Sequence, residues 1–163
     1  MKQWKHVFAA LALAATVGSV AAVEPVLEIG GNITAFSDQS GKAFRLTSSQ
    51  FQAMPQSSIT TSTSWTPKSK FTGVRMDELM RLAGAKGEYV QVYALDDYSV
   101  RIPVADFKRY GVILARSRNG QPLDPSKFGP YFLIYPKDQF PKELDCPTGE
   151  AKFVWQVSRI VVQ

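Results

Sequence analysis

The chain has 163 residues, a hydrophobic fraction of 45% and a formal net charge of +5 with no block of like charges. That suits one domain with one apolar core, and it gives no basic footprint for nucleic acid. One histidine, His6, and one cysteine, Cys146, exclude an intrachain disulfide and a structural zinc site, which needs several Cys or His ligands.

Met1 to Ala22 reads as a cleavable signal peptide. Lys2 and Lys5 precede an apolar run from Val7 to Val17, and Val20-Ala21-Ala22 offers small residues for cleavage before Val23. The run falls short of the roughly 20 residues of a membrane span, and an uncleaved N-terminal anchor is the alternative. Export to a bacterial periplasm follows, with 23–163 as the mature domain. His6 leaves with the leader, so the mature chain has no histidine for general-base catalysis, a Ser-His-Asp triad or metal ligation.

Pro25 to Ile29 predicts a strand ended by Gly30-Gly31, with Asn32 to Phe36 continuing it after a bulge. Ser37 to Lys42 is a polar turn and Phe44-Arg45-Leu46 a short extended piece. Thr47 is placed to cap a brief helix through Phe51 that Met54-Pro55 ends. Ile59, Thr60, Thr61 and Thr63 are β-branched and predict a strand. A hydroxyl-rich loop past Trp65 and Pro67 follows, then a turn at Phe71-Thr72-Gly73. Met76, Leu79, Met80 and Ala83 recur on one helical face, with Gly84 as C-cap. Tyr89 to Ala94 and Tyr98 to Pro103 predict a hairpin turning at Asp96-Asp97. Val104 to Tyr110 is a short amphipathic helix and Val112 to Ala115 a buried strand. Asn119-Gly120 makes a tight turn. Tyr131 to Tyr135 is a second buried strand, Asp138 to Glu150 is irregular, and Phe153 to Val162 closes the chain as a long strand. Short strands with short helices between them give a single α+β domain, mixed and mainly antiparallel.

The stretch from Ile59 to Gly84, a strand, a loop with Trp65, and Phe71-Thr72-Gly73 leading into a helix, resembles the sulfite-oxidase-type molybdopterin-binding domain. Asn119-Gly120-Gln121-Pro122-Leu123, Gly129-Pro130-Tyr131 and Ile134-Tyr135-Pro136 are similar to a second block of that family, and Lys152 to Val162 resembles its final strand. In the family a cysteine four residues before the Trp supplies a thiolate to molybdenum. Here that position is Thr61, whose hydroxyl is neither soft nor acidic near neutral pH. The resemblance extends to a small exported branch without this cysteine, whose members bind reduced pterins and control a membrane-bound cyclic-di-GMP enzyme.

A pterin ring is flat and rich in hydrogen-bonding edges, so it needs faces to stack on and polar groups around them. Thr61 and Ser62 would stand at the former metal mouth. Trp65 sits in a polar loop, where it either stacks on the ring or covers the loop. Asp97 and Tyr98 stand at a hairpin tip, though Asp96-Asp97 also suits a plain turn. Arg116 offers a guanidinium face or a solvated strand edge, and Tyr135 a ligand contact or a core ring. Lys152 matches a family lysine that meets the cofactor phosphate, but a neighbouring second lysine is Trp155. That favours a reduced, unphosphorylated pterin; molybdopterin remains open and molybdenum is disfavoured. The expected function is a periplasmic, non-catalytic pterin-binding regulator whose partner is the periplasmic domain of a membrane-bound signalling protein. A molybdopterin-dependent oxidoreductase with a non-cysteine metal site and a ligand-free interaction module are the alternatives.

Overall fold

The structure, a computed structural model, describes residues 26–37 and 42–163; the expected leader and most of the polar turn before Phe44 lie outside them. Two five-stranded sheets enclose one apolar core. The first contains β1 (Leu27–Gly31), β2 (Ala43–Leu46), β5 (Tyr89–Ala94), β6 (Ser99–Pro103) and β10 (Val157–Val162), in the order β2-β1-β10-β5-β6. The second contains β3 (Gln56–Thr63), β4 (Thr66–Arg75), β7 (Ile113–Arg118), β8 (Gln121–Pro122) and β9 (Phe132–Ile134); β3, β4, β7 and β8 follow in order, and β9 also pairs with β7. All pairings are antiparallel except β1 with β10. The expected α+β fold is the one observed.

Local sequence explains most elements. In β5, Val90, Val92 and Ala94 alternate inward with the period of two that a half-buried strand requires. Thr47 caps α1 (Ser48–Ala53): its hydroxyl accepts from Gln50 N–H while the Gln50 side chain accepts from Thr47 N–H. Helix α2 (Met76–Ala83) buries Met76, Leu79, Met80 and Ala83. Its long side chains contribute about 1.5–3 kcal/mol each before ordering entropy is subtracted. Gly84 ends it at φ 62°, donating to Arg81 and Met80 carbonyls. Helix α3 (Val104–Tyr110) ends likewise at Gly111.

Four expectations need correction. The loop and turn expected between Thr63 and Gly73 are a hairpin of β3 and β4, and Phe71-Thr72-Gly73 lies inside β4, paired to both β3 and β7. Glycine is required there by strand crowding: a Cβ on Gly73 would stand 2.0 Å from Leu114 O. The last strand begins at Val157, because Gln156 adopts a positive φ of 52° that interrupts extended backbone. Asn32 to Phe36 does not extend β1; Thr34 and Ala35 N–H groups bond the end of α2 instead. The expected irregular segment holds a 3-10 turn (Lys137–Gln139), α4 (Pro141–Leu144) and α5 (Pro147–Glu150). Among the described residues no helix is long and apolar enough to cross a membrane.

Candidate functional site

Two hairpin tips and the segment after α4 meet at one end of the molecule. At the β3–β4 tip, Thr63 Oγ1 accepts from Trp65 N at 3.2 Å and from Thr66 N at 3.0 Å, and shares a 2.9 Å bond with Thr66 Oγ1. This side-chain turn fixes the tip and leaves Trp65 48% exposed, with its ring 6.4 Å from Phe132. At the β5–β6 tip, Asp96 Oδ1 accepts from Tyr98 N at 3.2 Å and Asp97 takes a φ of 66°. Tyr98 then donates its hydroxyl to Ala151 O at 2.9 Å, and Ser64 donates to Glu150 Oε2 at 2.5 Å. Both tips are thereby tied to the α5 segment.

The space between them is a cleft of about 360 Å³, within the size range of small-molecule sites. Four aromatic rings line it, from Trp65, Tyr98, Phe153 and Trp155, with Ala94, Pro147 and Ala151 between them. Its polar groups are Ser64, Asp96 and Glu150. Burial pushes the Glu150 carboxyl up, but hydrogen bonds from Lys137 and Ser64 outweigh this and hold it below the usual range. Lys137 Nζ stands 2.7 Å from Glu150 Oε1 and 3.4 Å from Asp145 Oδ1, and its ammonium is held above its usual range, chiefly by Glu150.

Of the residues singled out from sequence, Trp65 and Tyr98 line this cleft. Asp97 adjoins lining residue Asp96. Thr61 is fully buried in β3. Its hydroxyl accepts from Asp138 N at 3.1 Å, with Asp138 Oδ1 at 3.2 Å and Ser62 O at 3.3 Å as its acceptors. Ser62 gives its N–H and its hydroxyl to the same carboxylate, at 3.1 and 2.7 Å. Thr61 and Ser62 therefore fasten β3 to the 3-10 turn. Arg116 is the extra residue of a bulge in β7, where Thr72 pairs with Ser117 and Gly73 with Ala115. Its guanidinium lies 5.7 Å from the Tyr131 ring centre, and its buried Nη1 has no hydrogen-bond partner. Tyr135 is fully buried and donates to Asp106 Oδ2 at 3.4 Å; burial and then the Asp106 charge push its hydroxyl well above the usual value. Lys152 Nζ pairs with the same Asp106 oxygen at 2.7 Å. These two residues lock α3 to the C-terminal segment.

Sequence reasoning did not single out Ser64, Glu150 or Phe153 as lining groups, and gave Trp155 only as a missing lysine. Ser64 and Glu150 are 86 residues apart, and nothing local in either signals the other. Cys146 precedes α5, with its thiol 3.4 Å from Thr148 Oγ1; that contact, then backbone bonds and Lys152, lower its pKa. Among the described residues no three His, Cys, Asp or Glu side chains gather to hold a metal ion.

A family model described as the oxidoreductase molybdopterin binding domain matches residues 45–140. The match stops before one wall of the cleft, from Pro147 to Trp155. No curated protein matches the chain. Among solved structures, the sulfane dehydrogenase SoxCD from Paracoccus pantotrophus superposes with a TM-score of 0.62 at 16% identity. The alignment covers 85% of this chain and 38% of that one, so the shared part is the fold of one portion of a longer protein.

Proposed function

The chain belongs to the oxidoreductase molybdopterin binding domain family, and from that premise we propose that it is a non-catalytic pterin-binding protein acting in the periplasm as a regulator. The observation that carries this reading is the cleft walled by Trp65, Tyr98, Phe153 and Trp155 with Asp96 and Glu150 among them. Aromatic faces suit stacking on a flat heterocycle, and carboxylates suit the N–H donors of an aminopyrimidinone edge.

The residues do not fit the metal half of the family cofactor. Where the resemblance expects a thiolate, Thr61 offers a buried hydroxyl held by Asp138 and Ser62. Its proton is far too weakly acidic to leave near neutral pH, and it has no soft donor atom. The phosphate tail is also poorly served. Lys152 is committed to Asp106 at 2.7 Å and Lys137 to Glu150 at 2.7 Å, so neither ammonium is available without breaking a partly buried pair. A reduced, unphosphorylated pterin is the ligand these features favour.

Regulation follows from where the ligand would sit. It would touch two hairpin tips and the α5 segment at once, and so favour the arrangement in which all three close on it. A partner that recognises that arrangement, here the periplasmic domain of a membrane-bound cyclic-di-GMP enzyme, would then bind in proportion to ligand occupancy. The test is ligand release. Protein purified from a pterin-producing host is denatured, and the supernatant is assayed for pterin fluorescence and molybdenum together. Pterin without metal, reduced in Trp65→Ala, is the expected result. Stoichiometric molybdenum would overturn the reading, and so would the absence of pterin both from the released material and after incubation with tetrahydropterin.

A further inference from the structure

We infer that the cleft sorts its ligands by charge, taking planar organic cations ahead of neutral rings and rejecting anions, and that Asp96 is a specificity-determining residue for this order. The inference deepens the pterin reading, because it concerns the same cleft, but its chemistry does not depend on the ring being a pterin. Apart from two indole N–H groups, the polar side chains of the lining present acceptors. The Ser64 hydroxyl is donated to Glu150 and the Tyr98 hydroxyl to Ala151 O. Glu150 and Asp145 share a single cation, Lys137. The other nearby ammonium, Lys152, is neutralised by Asp106. Asp96 stands exposed at the rim with one oxygen on Tyr98 N and the other without a partner among the described residues.

Four carboxylates, Asp96, Glu150, Asp145 and Asp106, thus stand against two ammoniums, Lys137 and Lys152, around the cleft, although the chain carries a net +5. Aromatic faces act in the same direction, since the negative face of each ring attracts a cation and repels an anion. Carboxylates set among rings add Coulomb attraction that is strengthened where water is displaced. An anionic substituent such as a phosphate or carboxylate would meet Asp96 and Glu150, while the ammoniums of Lys137 and Lys152 are held by Glu150 and Asp106.

The test uses three single-ring probes of nearly equal shape with the intact protein: 1-methylnicotinamide, a pyridinium, as cation, nicotinamide as neutral ring and nicotinate as anion, each titrated by calorimetry. The expected order of affinity is cation, neutral, anion, with about tenfold between the ends. Asp96→Asn, which keeps an acceptor for Tyr98 N–H, should narrow that ratio at least about threefold. Asp124→Asn, on a loop outside the cleft, should leave it unchanged. Nicotinate binding as well as the cation, no binding of the cation, or an unaltered ratio in Asp96→Asn would each overturn the inference. Competition by tetrahydropterin in the same titration reads the pterin assignment separately: failure to displace the cation removes the pterin and leaves the charge order standing.

Discussion

Removing the Asp138 carboxylate should unfasten the 3-10 turn from β3. In Asp138→Ala, three hydrogen bonds to one oxygen are lost: from Ser62 N, Ser62 Oγ and Thr61 Oγ1. The looser ion pair with Lys68, at 3.5 Å, goes with them. A bond to a charged acceptor is worth about 1.5–3 kcal/mol, but contributions at one atom do not add. Ser62 is half-buried and regains water, whereas Thr61 is fully buried and keeps only Ser62 O as acceptor. Together these give a loss of about 3 kcal/mol, or about 9 °C in Tm for a chain of this size. Urea unfolding monitored by far-ultraviolet circular dichroism measures it. The pH dependence has a definite sign. Hydrogen bonds from Ser62, first its hydroxyl, hold the Asp138 carboxyl below its usual value. Its stabilisation is therefore present above the unfolded-state pKa, about 4, and is lost as pH falls through the lower folded value. The gap between the two proteins should be full at neutral pH and close below about pH 4. A loss under about 0.5 kcal/mol at neutral pH, the range of ordinary surface changes, would refute the reasoning.

Asp106→Ala should cost about 2–3 kcal/mol in the same assay, because it strands a Lys152 side chain that is 24% exposed and takes the acceptor from Tyr135. Gly73→Ala should destabilise by more than about 3 kcal/mol or prevent folding, since its Cβ would strike the Leu114 carbonyl in the middle of the second sheet; recovery of soluble, cooperatively unfolding protein at wild-type midpoint would contradict this. Trp65→Ala should change stability by less than about 1 kcal/mol, as half the indole is already in water, and any loss of ligand binding then reports the site. Glu150 is held below its usual carboxylate range by Lys137 and Ser64 against the opposing effect of burial. Glu150→Gln should consequently flatten the acid limb of the stability profile, seen as a smaller fall in urea midpoint from pH 6 to pH 3.

Elements built from their own residues were legible in the chain. The α2 stripe with Gly84, the Thr47 cap and the β5–β6 hairpin depend on contacts a few residues apart, and each stands where its pattern places it. The β3–β4 hairpin was not. Pro67 and a run of Ser and Thr read as loop, yet Pro67 falls beside a register shift, in the part of β4 that β7 does not pair. Gly73 read as a turn former because glycine is ambiguous between a bend and a close approach. In the site, Trp65 was legible as a bulky ring in polar surroundings. Thr61 was read against an expected metal ligand and not as an anchor, since its partner Asp138 is 77 residues away. Asp96 read only as a turn former, and Glu150 carried no signal.

The parallel pairing of β1 with β10 has a kinetic consequence. The last strand in sequence is the central strand of its sheet, flanked by β1 and β5. Until Val157–Val162 is available, β1–β2 and β5–β6 are two separate ribbons without the member that joins them. Contacts of such long sequence separation form late and slowly, since loop closure precedes their reward. The first sheet therefore closes only when Val157–Val162 joins the two ribbons, whereas the second sheet, whose last strand is β9, needs nothing from β10.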